Sequence, residues 1–323
     1  MNDKFGRKVD YLRLSVTDNC NLRCIYCMEE HTTDFLKSES KLTDDEILEI
    51  VEASANLGVK KIRITGGEPL VRAGIVNLIG KIKSIDGIEE IYLTTNATLL
   101  LDKVEMLAKN GLNGVNISLD SLNKERFDSI TRLGGFEKVI ESIDECIKYG
   151  LKVKLNTVIV NNINADEILD FVNLTLKKPI DVRFIELMPI GVGKIYTGMS
   201  NEEVLDVIKN NYTDLEELGS AKNGGPAKYI KVSKGLGKIG FISAMSNCFC
   251  EDCNRIRVTP EGFLKQCLHF DYGVSLRDLI RAGISKEDLI EVIKENIYNK
   301  PEKHLFNQNG DHEEIRFMNK IGG

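Results

Sequence analysis

Two patterns of apolar residues alternate along the chain between residues 11 and 187. The first is a short, nearly continuous apolar run, as expected for a strand that is buried on both faces of a parallel sheet. The second is a longer segment with apolar residues three and four positions apart, as expected for a helix with one buried face. The runs predict strands over residues 11–16, 60–65, 91–95, 114–119, 153–160 and 180–187.

The helices between these strands are predicted from the same spacing and from their end signals. Thr43 is a natural N-cap, Glu46 completes a capping box, and Gly58 is placed to end the first helix. Further helices are predicted over residues 73–85, 99–109, 135–149 and 164–176. Strands that alternate with helices predict an α/β fold with a parallel sheet, either an open doubly wound sheet or a partial barrel. In both architectures ligands bind at the C-terminal ends of the strands.

The alternation stops after the sixth predicted strand, and the remainder of the chain has a different character. Residues 219–243 are rich in glycine and contain β-like runs, whereas residues 275–298 have a helical pattern. The final segment, 299–323, is polar and predicted to be irregular. We therefore expect two regions, an alternating region over 1–188 and a C-terminal α+β extension over 189–323.

Composition and charge exclude several classes of function. The chain of 323 residues has a formal net charge of −6 and a pI of about 5.5, which argues against nucleic acid as a partner because nucleic-acid surfaces are basic. The negative net charge is still compatible with a local basic pocket that binds a small anion. The polar N-terminus does not resemble a signal peptide, and no apolar run is long enough to span a membrane. We expect a cytoplasmic protein whose eight cysteines are reduced and, where clustered, bind metal.

The first cysteine group follows the first predicted strand. Cys20, Cys24 and Cys27 lie in the stretch VTDNCNLRCIYCMEE, with a spacing that supplies three thiolate ligands rather than the four of a ferredoxin. Three ligands on such a loop suggest an iron–sulfur cubane with one iron left open for a small molecule. The alternative is a zinc knuckle completed by a distant residue such as His31.

The second cysteine group lies in the stretch SNCFCEDCNRIRVTPEGFLKQCLHF. Cys250, Cys253 and Cys267 have the spacing Cys-x2-Cys-x13-Cys, and Cys248 lies two residues upstream. A zinc site made of all four cysteines is the alternative that the spacing allows. We expect Cys248 to be a bystander thiol, because the spacing of the other three is complete without it.

The residues of the first group carry a resemblance to a known superfamily. The CxxxCxxC spacing, with Tyr26 in its aromatic position, together with the GGEP sequence at 66–69, resembles the radical S-adenosylmethionine enzymes. The resemblance implies a partial (β/α)6 barrel over 1–188. It also implies a 4Fe–4S cluster whose open iron chelates S-adenosylmethionine, which is cleaved reductively to a 5′-deoxyadenosyl radical. The glycines fit this view, because without a Cβ the backbone can approach a ligand closely.

The second group narrows the resemblance to one family. FCxxCNRxRxT followed by GxLxxCL is similar to the C-terminal signature of the GTP 3′,8-cyclases, which begin molybdenum cofactor biosynthesis. Further stretches in the same order, among them KKIRITGGEPL, NISLDSL, RFIELMP and GPAKY, also resemble this family. The resemblance implies a second 4Fe–4S cluster whose open iron binds guanine. It implies that hydrogen is removed from C3′ of GTP and that C3′ then bonds to C8, giving 3′,8-cyclo-7,8-dihydro-GTP. An electron donor and a downstream pyranopterin monophosphate synthase are the implied partners, and a homodimer is left open.

The resemblance also implies which residues form the site. Cluster ligands are expected to be Cys20, Cys24, Cys27, Cys250, Cys253 and Cys267. Residues expected to contact S-adenosylmethionine are Tyr26, Gly67, Ser118 and Met188. Residues expected to contact GTP are Arg13, Arg63, Thr94, Lys154, Arg255, Ile256 and Arg257, with Arg183 a weaker candidate. Arginine suits a triphosphate because its planar guanidinium binds phosphate oxygens bidentately.

Several positions are assigned other roles or depart from the family pattern. Cys146 is expected to be a small buried hydrophobic residue on a helix. Glu29 stands where the family usually has proline, and Ala97 replaces a glycine in a turn that otherwise takes a positive φ. The C-terminal Gly322-Gly323 pair is expected to insert towards the active site, as in the family.

The functional alternatives are a peptide-modifying radical enzyme with an auxiliary cluster and a zinc-binding interaction module without catalytic activity.

Overall fold

Six parallel strands pair in chain order and form the centre of one sheet. The computed structural model describes residues 1–220, 225–247, 249–306, 314 and 316–322. The central strands are β1 (Tyr11–Ser15), β2 (Lys61–Thr65), β3 (Glu90–Thr95), β4 (Gly114–Ser118), β5 (Lys152–Val158) and β6 (Asp181–Ile185). All six strands predicted from the apolar runs are confirmed, and each differs from its predicted range by only a few residues.

The helices of this region follow the strands as expected, with one addition. They are α1 (Asp44–Asn56), α2 (Ile75–Lys83), α3 (Val104–Lys109), α4 (Lys124–Thr131), α5 (Phe136–Lys148) and α6 (Ile168–Lys177). The predicted capping box is present, since Thr43 Oγ1 accepts from Glu46 N at 3.2 Å and Glu46 Oε2 accepts from Thr43 N at 2.8 Å. Helix α4 was not predicted, because half of its residues are charged and it buries only one narrow side.

The C-terminal region extends the same sheet at both edges. Its elements are α7 (Asn201–Lys209), β7 (Leu215–Ser220), β8 (Lys228–Val232), β9 (Ile239–Ile242), β10 (Arg255–Val258), β11 (Phe263–Lys265), β12 (Gly273–Ser275), α8 (Leu276–Arg281), α9 (Lys286–Tyr298) and α10 (Met318–Ile321). The strand order is β12-β11-β10-β1-β2-β3-β4-β5-β6-β9-β8-β7. Strand β10 is parallel to β1 and β9 is parallel to β6, whereas the outer strands are antiparallel to their neighbours. The prediction that 299–323 is irregular is wrong for α10.

The core lies between the sheet and the helices that cover it. The helices bury apolar faces against strand residues that are themselves inaccessible to solvent, such as Ile62, Ile64 and Leu93. Cys146 on α5 is fully buried in this core, as predicted. Within the described residues, no helix is long and apolar enough to cross a membrane.

Phe184 on β6 connects the two regions through ring contacts. Its ring centroid lies 6.5 Å from that of Phe171 on α6 and 6.2 Å from that of Phe241 on β9. Both contacts depend on a side chain that is fully buried.

Phe184→Ala is therefore expected to lower the free energy of unfolding by ~3–5 kcal/mol, because it removes ring contacts on both sides and leaves a cavity. Anaerobic urea denaturation followed by circular dichroism measures this loss. Leu236→Ala is the matched control, because Leu236 is 59% exposed. A loss for Phe184→Ala no larger than that of the control would contradict this role of Phe184.

Candidate active site

A single cavity of about 760 Å³ collects residues from both regions of the chain. It is lined by strand residues, by the loops after the strands and by both cysteine groups. The predicted site residues on its wall are Arg13, Cys20, Cys24, Tyr26, Cys27, Arg63, Gly67, Thr94, Ser118, Lys154, Met188, Cys250, Cys253, Arg255, Arg257 and Cys267. Arg183 also lines it. Ile256 does not, since its side chain is fully buried in the apolar core between the two arginines.

The first cysteine loop is held directly after β1 by its own backbone and by neighbouring side chains. Cys27 N donates to Cys24 O at 3.0 Å, and the amide of Asn96 lies 3.8 Å from Cys20 Sγ. Burial raises the pKa of the Cys20 thiol to about 11 and that of Cys27 to about 12. These thiols therefore hold their protons in the protein alone, and a bound metal centre would have to displace them.

The GGEP turn after β2 packs directly on this cysteine loop. A Cβ at Gly67 would lie 2.4 Å from Asp18 O and 2.5 Å from Asn19 O, so no larger residue fits there. Gly67 N donates to Thr17 O at 2.7 Å and Glu68 N donates to Asn19 O at 2.8 Å. The glycines thus permit close approach of this turn to the cysteine loop, and the close approach to a ligand stays a prediction.

Two buried acids that the sequence did not single out support the same wall of the cavity. Glu68 accepts hydrogen bonds from Thr95 Oγ1 at 2.7 Å and Asn96 N at 2.7 Å, which ties the GGEP turn to the end of β3. Asp120 accepts from Val158 N at 2.8 Å and from the hydroxyl of Tyr26. Burial raises the pKa of Glu68 to about 7 and that of Asp120 to about 6. Only their position beside a motif or a strand end could have marked them in the sequence.

Three arginines lie side by side across neighbouring strands of the sheet, and we call them the arginine row. Arg13 on β1 is in register with Arg63 on β2 and with Arg257 on β10. Residues in register on adjacent strands present their side chains on the same face. Burial, and then the charge of Arg257, lowers the pKa of Arg13 well below its ordinary value. Burial, and then Arg255, lowers the pKa of Arg257 to about 10.

Positive charge in the cavity far exceeds negative charge. Among the described residues, eight Arg or Lys side chains line it against two carboxylates. Those carboxylates are already engaged, since Glu90 lies 2.9 Å from Lys61 Nζ and Asp120 binds Tyr26. Arg13 Nε and Arg255 Nε are buried without an acceptor in the part of the chain that the structure describes. Burial and then Arg183 lower the pKa of Lys154 to about 8, even though Asp181 lies 3.6 Å from its Nζ. The cavity is therefore built to hold an anion.

The second cysteine group lies at one end of the β10–β11 pair. Cys250 and Cys253 precede β10, and Cys267 follows β11. Burial alone would raise the pKa of Cys253, but the cations of Arg255 and Lys300 outweigh it and lower the pKa to about 6. This thiolate is available at neutral pH, which suits a metal ligand. Within the described ranges, no group of three or more His, Cys, Asp or Glu side chains is arranged to hold a single metal ion. Cys248, which the zinc alternative requires, lies outside those ranges, and His31 is exposed.

The end of the chain enters the cavity. Asn319 Nδ2 donates to Asp18 O at 3.1 Å beside the first cysteine loop, and Arg257 Nη1 donates to Gly322 O at 3.1 Å. Upstream, the carboxylate of Glu314 pairs with the buried Lys265 and lies 2.9 Å from Arg316 Nε. The expected insertion of the C-terminus is thus present for Gly322, while Gly323 lies outside the described residues.

Ala97 has a φ of +62°, so it occupies the left-handed conformation that the family's glycine would favour.

Two protein-family models match this chain, one over each of its two regions. Residues 14–175 match the Radical SAM superfamily, and residues 180–306 match the family described as Molybdenum Cofactor Synthesis C. The chain is 58% identical over 323 residues to the GTP 3′,8-cyclase of Clostridium perfringens (strain SM101 / Type A), and the match covers 100% of both chains. The chain belongs to the GTP 3′,8-cyclase family of radical S-adenosylmethionine enzymes. A relative with the same name from Alkaliphilus oremlandii (strain OhILAs) is 46% identical over 327 residues, again covering 100% of both.

Solved structures support the fold of this family member. SuiB of Streptococcus suis, crystallised with its precursor peptide SuiA, matches with a TM-score of 0.64 at 15% identity. The match covers 91% of this chain, and the chain spans 65% of the length of SuiB. At this identity the likeness concerns the fold alone.

Gly322→Ala tests whether the inserted end of the chain matters. Gly322 has a φ of +87°, and an added Cβ would lie 2.8 Å from Ser15 Cβ and 3.1 Å from Thr65 Cγ2. We expect the substitution to expel the tail and to slow GTP cyclisation about tenfold or more, a loss of ~1.4 kcal/mol in transition-state stabilisation. Anaerobic kinetics and hydrogen exchange of the C-terminal peptide measure the two effects.

Gly283→Ala is the matched control for this substitution. Gly283 has a φ of +82°, but an added Cβ there would meet nothing within 4 Å, so it shares the backbone strain without the crowding. Equal rates and equal exchange for the two variants would show that the contact of Gly322 with the cavity-lining Arg257 is unimportant.

Proposed function

We propose that the chain converts GTP to 3′,8-cyclo-7,8-dihydro-GTP in the first step of molybdenum cofactor synthesis, using S-adenosylmethionine and two 4Fe–4S clusters. The observation that carries the substrate assignment is the excess of cationic side chains, including Arg13, whose buried Nε has no acceptor among the described residues, in the cavity that both cysteine groups line. A nucleoside triphosphate supplies the missing negative charge at one end. Its base supplies ring nitrogen and oxygen donors at the other end.

Cys20, Cys24 and Cys27 would hold the first cluster, and Tyr26, Gly67, Ser118 and Met188 would contact S-adenosylmethionine. When bound, this cluster supplies the electron that cleaves S-adenosylmethionine. The protein contributes a cavity whose wall is fixed by the Gly67 approach to the cysteine loop and by the Asp120 contact to Tyr26. A wall fixed in this way orients the bound molecule and keeps water from a reactive intermediate.

The arginine row, with Lys154 and Thr94, would bind the triphosphate. Guanidinium groups bind phosphate oxygens with paired, charge-assisted hydrogen bonds, and they remain charged when buried. Binding would also relieve the repulsion among Arg13, Arg63 and Arg257, which has no carboxylate to offset it among the residues described. Thr94 Oγ1 is buried, has no hydrogen-bond partner among the residues that the structure describes, and has a hydroxyl to donate.

Cys250, Cys253 and Cys267 would hold the second cluster and thereby orient guanine. Arg255 lies beside this group, with its guanidinium 4.0 Å from Cys253 Sγ and over the ring of Phe249 at 4.8 Å. Ile256 has its side chain in the core, so any contribution to GTP binding is from its backbone. With the base held at one end and the phosphates at the other, the ribose between them is placed for reaction at C3′.

Finer features of the fold and the cellular role belong to the same proposal. We infer that β1 to β6 curve into a partial (β/α)6 barrel over residues 1–188, because side chains from β1, β2, β5 and β6 share one cavity. Residues 189–323 form the auxiliary-cluster extension. The protein would act in the cytoplasm with an electron donor and pass its product to a pyranopterin monophosphate synthase. Whether it acts as a homodimer is a separate expectation.

The proposed reaction is tested with anaerobically reconstituted protein, S-adenosylmethionine and dithionite, with and without GTP. Chromatography is expected to show 5′-deoxyadenosine that rises with GTP, together with a cyclised nucleotide, from protein with about eight irons for two 4Fe–4S clusters. Cys24→Ala should yield neither product. Cys253→Ala should retain about four irons and yield no cyclised nucleotide.

Two results would contradict the proposal in different ways. Formation of 5′-deoxyadenosine without any dependence on GTP would leave the first cluster's role intact and refute the substrate. Absence of 5′-deoxyadenosine from protein that contains its full iron would refute the radical chemistry itself.

A further inference from the structure

Lys300 is a buried lysine that approaches a ligand of the second cysteine group. It follows α9 and is 2% exposed. Its Nζ donates to Arg255 O at 2.8 Å and to Gln266 O at 2.7 Å, and lies 3.8 Å from Cys253 Sγ. An ammonium group has three N–H donors, so these contacts account for all of them.

The two carbonyl acceptors of Lys300 belong to the two segments that carry the cysteines. Arg255 begins β10 just after Cys253, and Gln266 directly precedes Cys267. Lys300 therefore bridges these two segments, in addition to the antiparallel pairing of β10 with β11 that joins Arg257 to Lys265. Arg7 adds a second link, since its Nη1 donates to Cys250 O at 2.8 Å and to Glu302 O at 2.8 Å. The segment 300–302 is thus bound to both of the segments that carry the cysteines.

The charge of Lys300 also requires a partner. A buried cation is costly unless an opposite charge lies near it. Among the described residues, no carboxylate forms an ion pair with Lys300, and the side-chain atom that its Nζ contacts is Cys253 Sγ, a sulfur of the second cysteine group. Lys265 is different, because this equally buried lysine of the same region pairs with the carboxylate of Glu314.

We propose that Lys300 is the positioning residue and fixed counter-charge of the second 4Fe–4S cluster. The hydrogen bonds that Lys300 donates to the two backbone carbonyls hold the two cysteine segments at the separation that the cluster needs. Its N–H···S contact to Cys253 stabilises the more negative, reduced cluster and so raises the reduction potential, because hydrogen bonds to cluster sulfurs tune that potential. This inference rests on the proposed second cluster.

Two substitutions separate the two roles. Lys300→Gln keeps N–H donors for the carbonyls but removes the charge, so the cluster is retained and its affinity for an electron falls about tenfold, a shift of about 59 mV to lower potential. Lys300→Met removes donors and charge together, so the second cluster is lost while the first cluster's irons, about four, remain. Retention of the first cluster reports that the chain is folded.

The measurement is an anaerobic redox titration followed by electron paramagnetic resonance, with iron content determined on the same full-length samples. The first cluster is the internal reference, and Lys303→Met is the control, because Lys303 is exposed on the same segment and carries the same charge. Both clusters of the Lys303→Met variant are expected to keep their wild-type reduction potentials. Unchanged potential in Lys300→Gln would overturn the counter-charge role. Full iron in Lys300→Met would overturn the positioning role.

Failure of the proposed function itself is distinguishable in this experiment. Wild-type protein with only about four irons and a single cluster signal would refute the second cluster and the inference with it. Two cluster signals in the wild type, with no response to either Lys300 substitution, would refute the inference alone.

Discussion

Closely spaced positive charge, with no carboxylate ion pair among the described residues, is the constraint on which the rest of this structure depends. Arg13, Arg63 and Arg257 lie in register on three adjacent strands, and two cavity-lining arginines have an Nε atom with no acceptor in the described part of the chain. Desolvated like charges destabilise a fold unless an anion is supplied. These arginines lie within their strands and line the cavity together with the loops at the C-terminal strand ends, where a parallel sheet binds its ligand. This local basic site exists in a chain whose overall charge is negative.

The C-terminal extension brings these charges together, because it completes the cavity from both edges of the central sheet. Strand β10 pairs with β1 and brings Arg257 beside Arg13, while β9 pairs with β6 and brings the Tyr229 strand towards Lys154. Gly322 then lies close to Ser15 of β1 and Thr65 of β2, and its carbonyl oxygen accepts a hydrogen bond from Arg257. Lys300 and Arg7 tie the second cysteine group to the segment after α9. The site is therefore assembled from residues at both ends of the chain, and neither region holds it alone.

The parts of the site that sequence could predict are those encoded over short distances. The cysteine spacing, the GGEP turn, the capping box at Thr43 and the alternating strands each depend on neighbours within a few residues. The register of Arg13 with Arg63 and Arg257 was not predictable, because it depends on pairing between strands far apart in the chain. Lys300 carries no local signal, since its three acceptors come from distant segments. The addition of β9 and β10 to the two edges of the central sheet was missed for the same reason.

The most direct test of the cavity as a triphosphate site is to compare the binding of GTP, GDP, GMP and guanosine to the anaerobic protein by titration calorimetry. If the arginine row binds phosphate, affinity falls with each phosphate removed, and Arg13→Met weakens GTP binding about tenfold, or ~1.4 kcal/mol, while guanosine and S-adenosylmethionine affinities stay unchanged. Guanosine binding as tightly as GTP, with no response of GTP binding to Arg13→Met, would contradict the central claim that the buried cations hold the triphosphate.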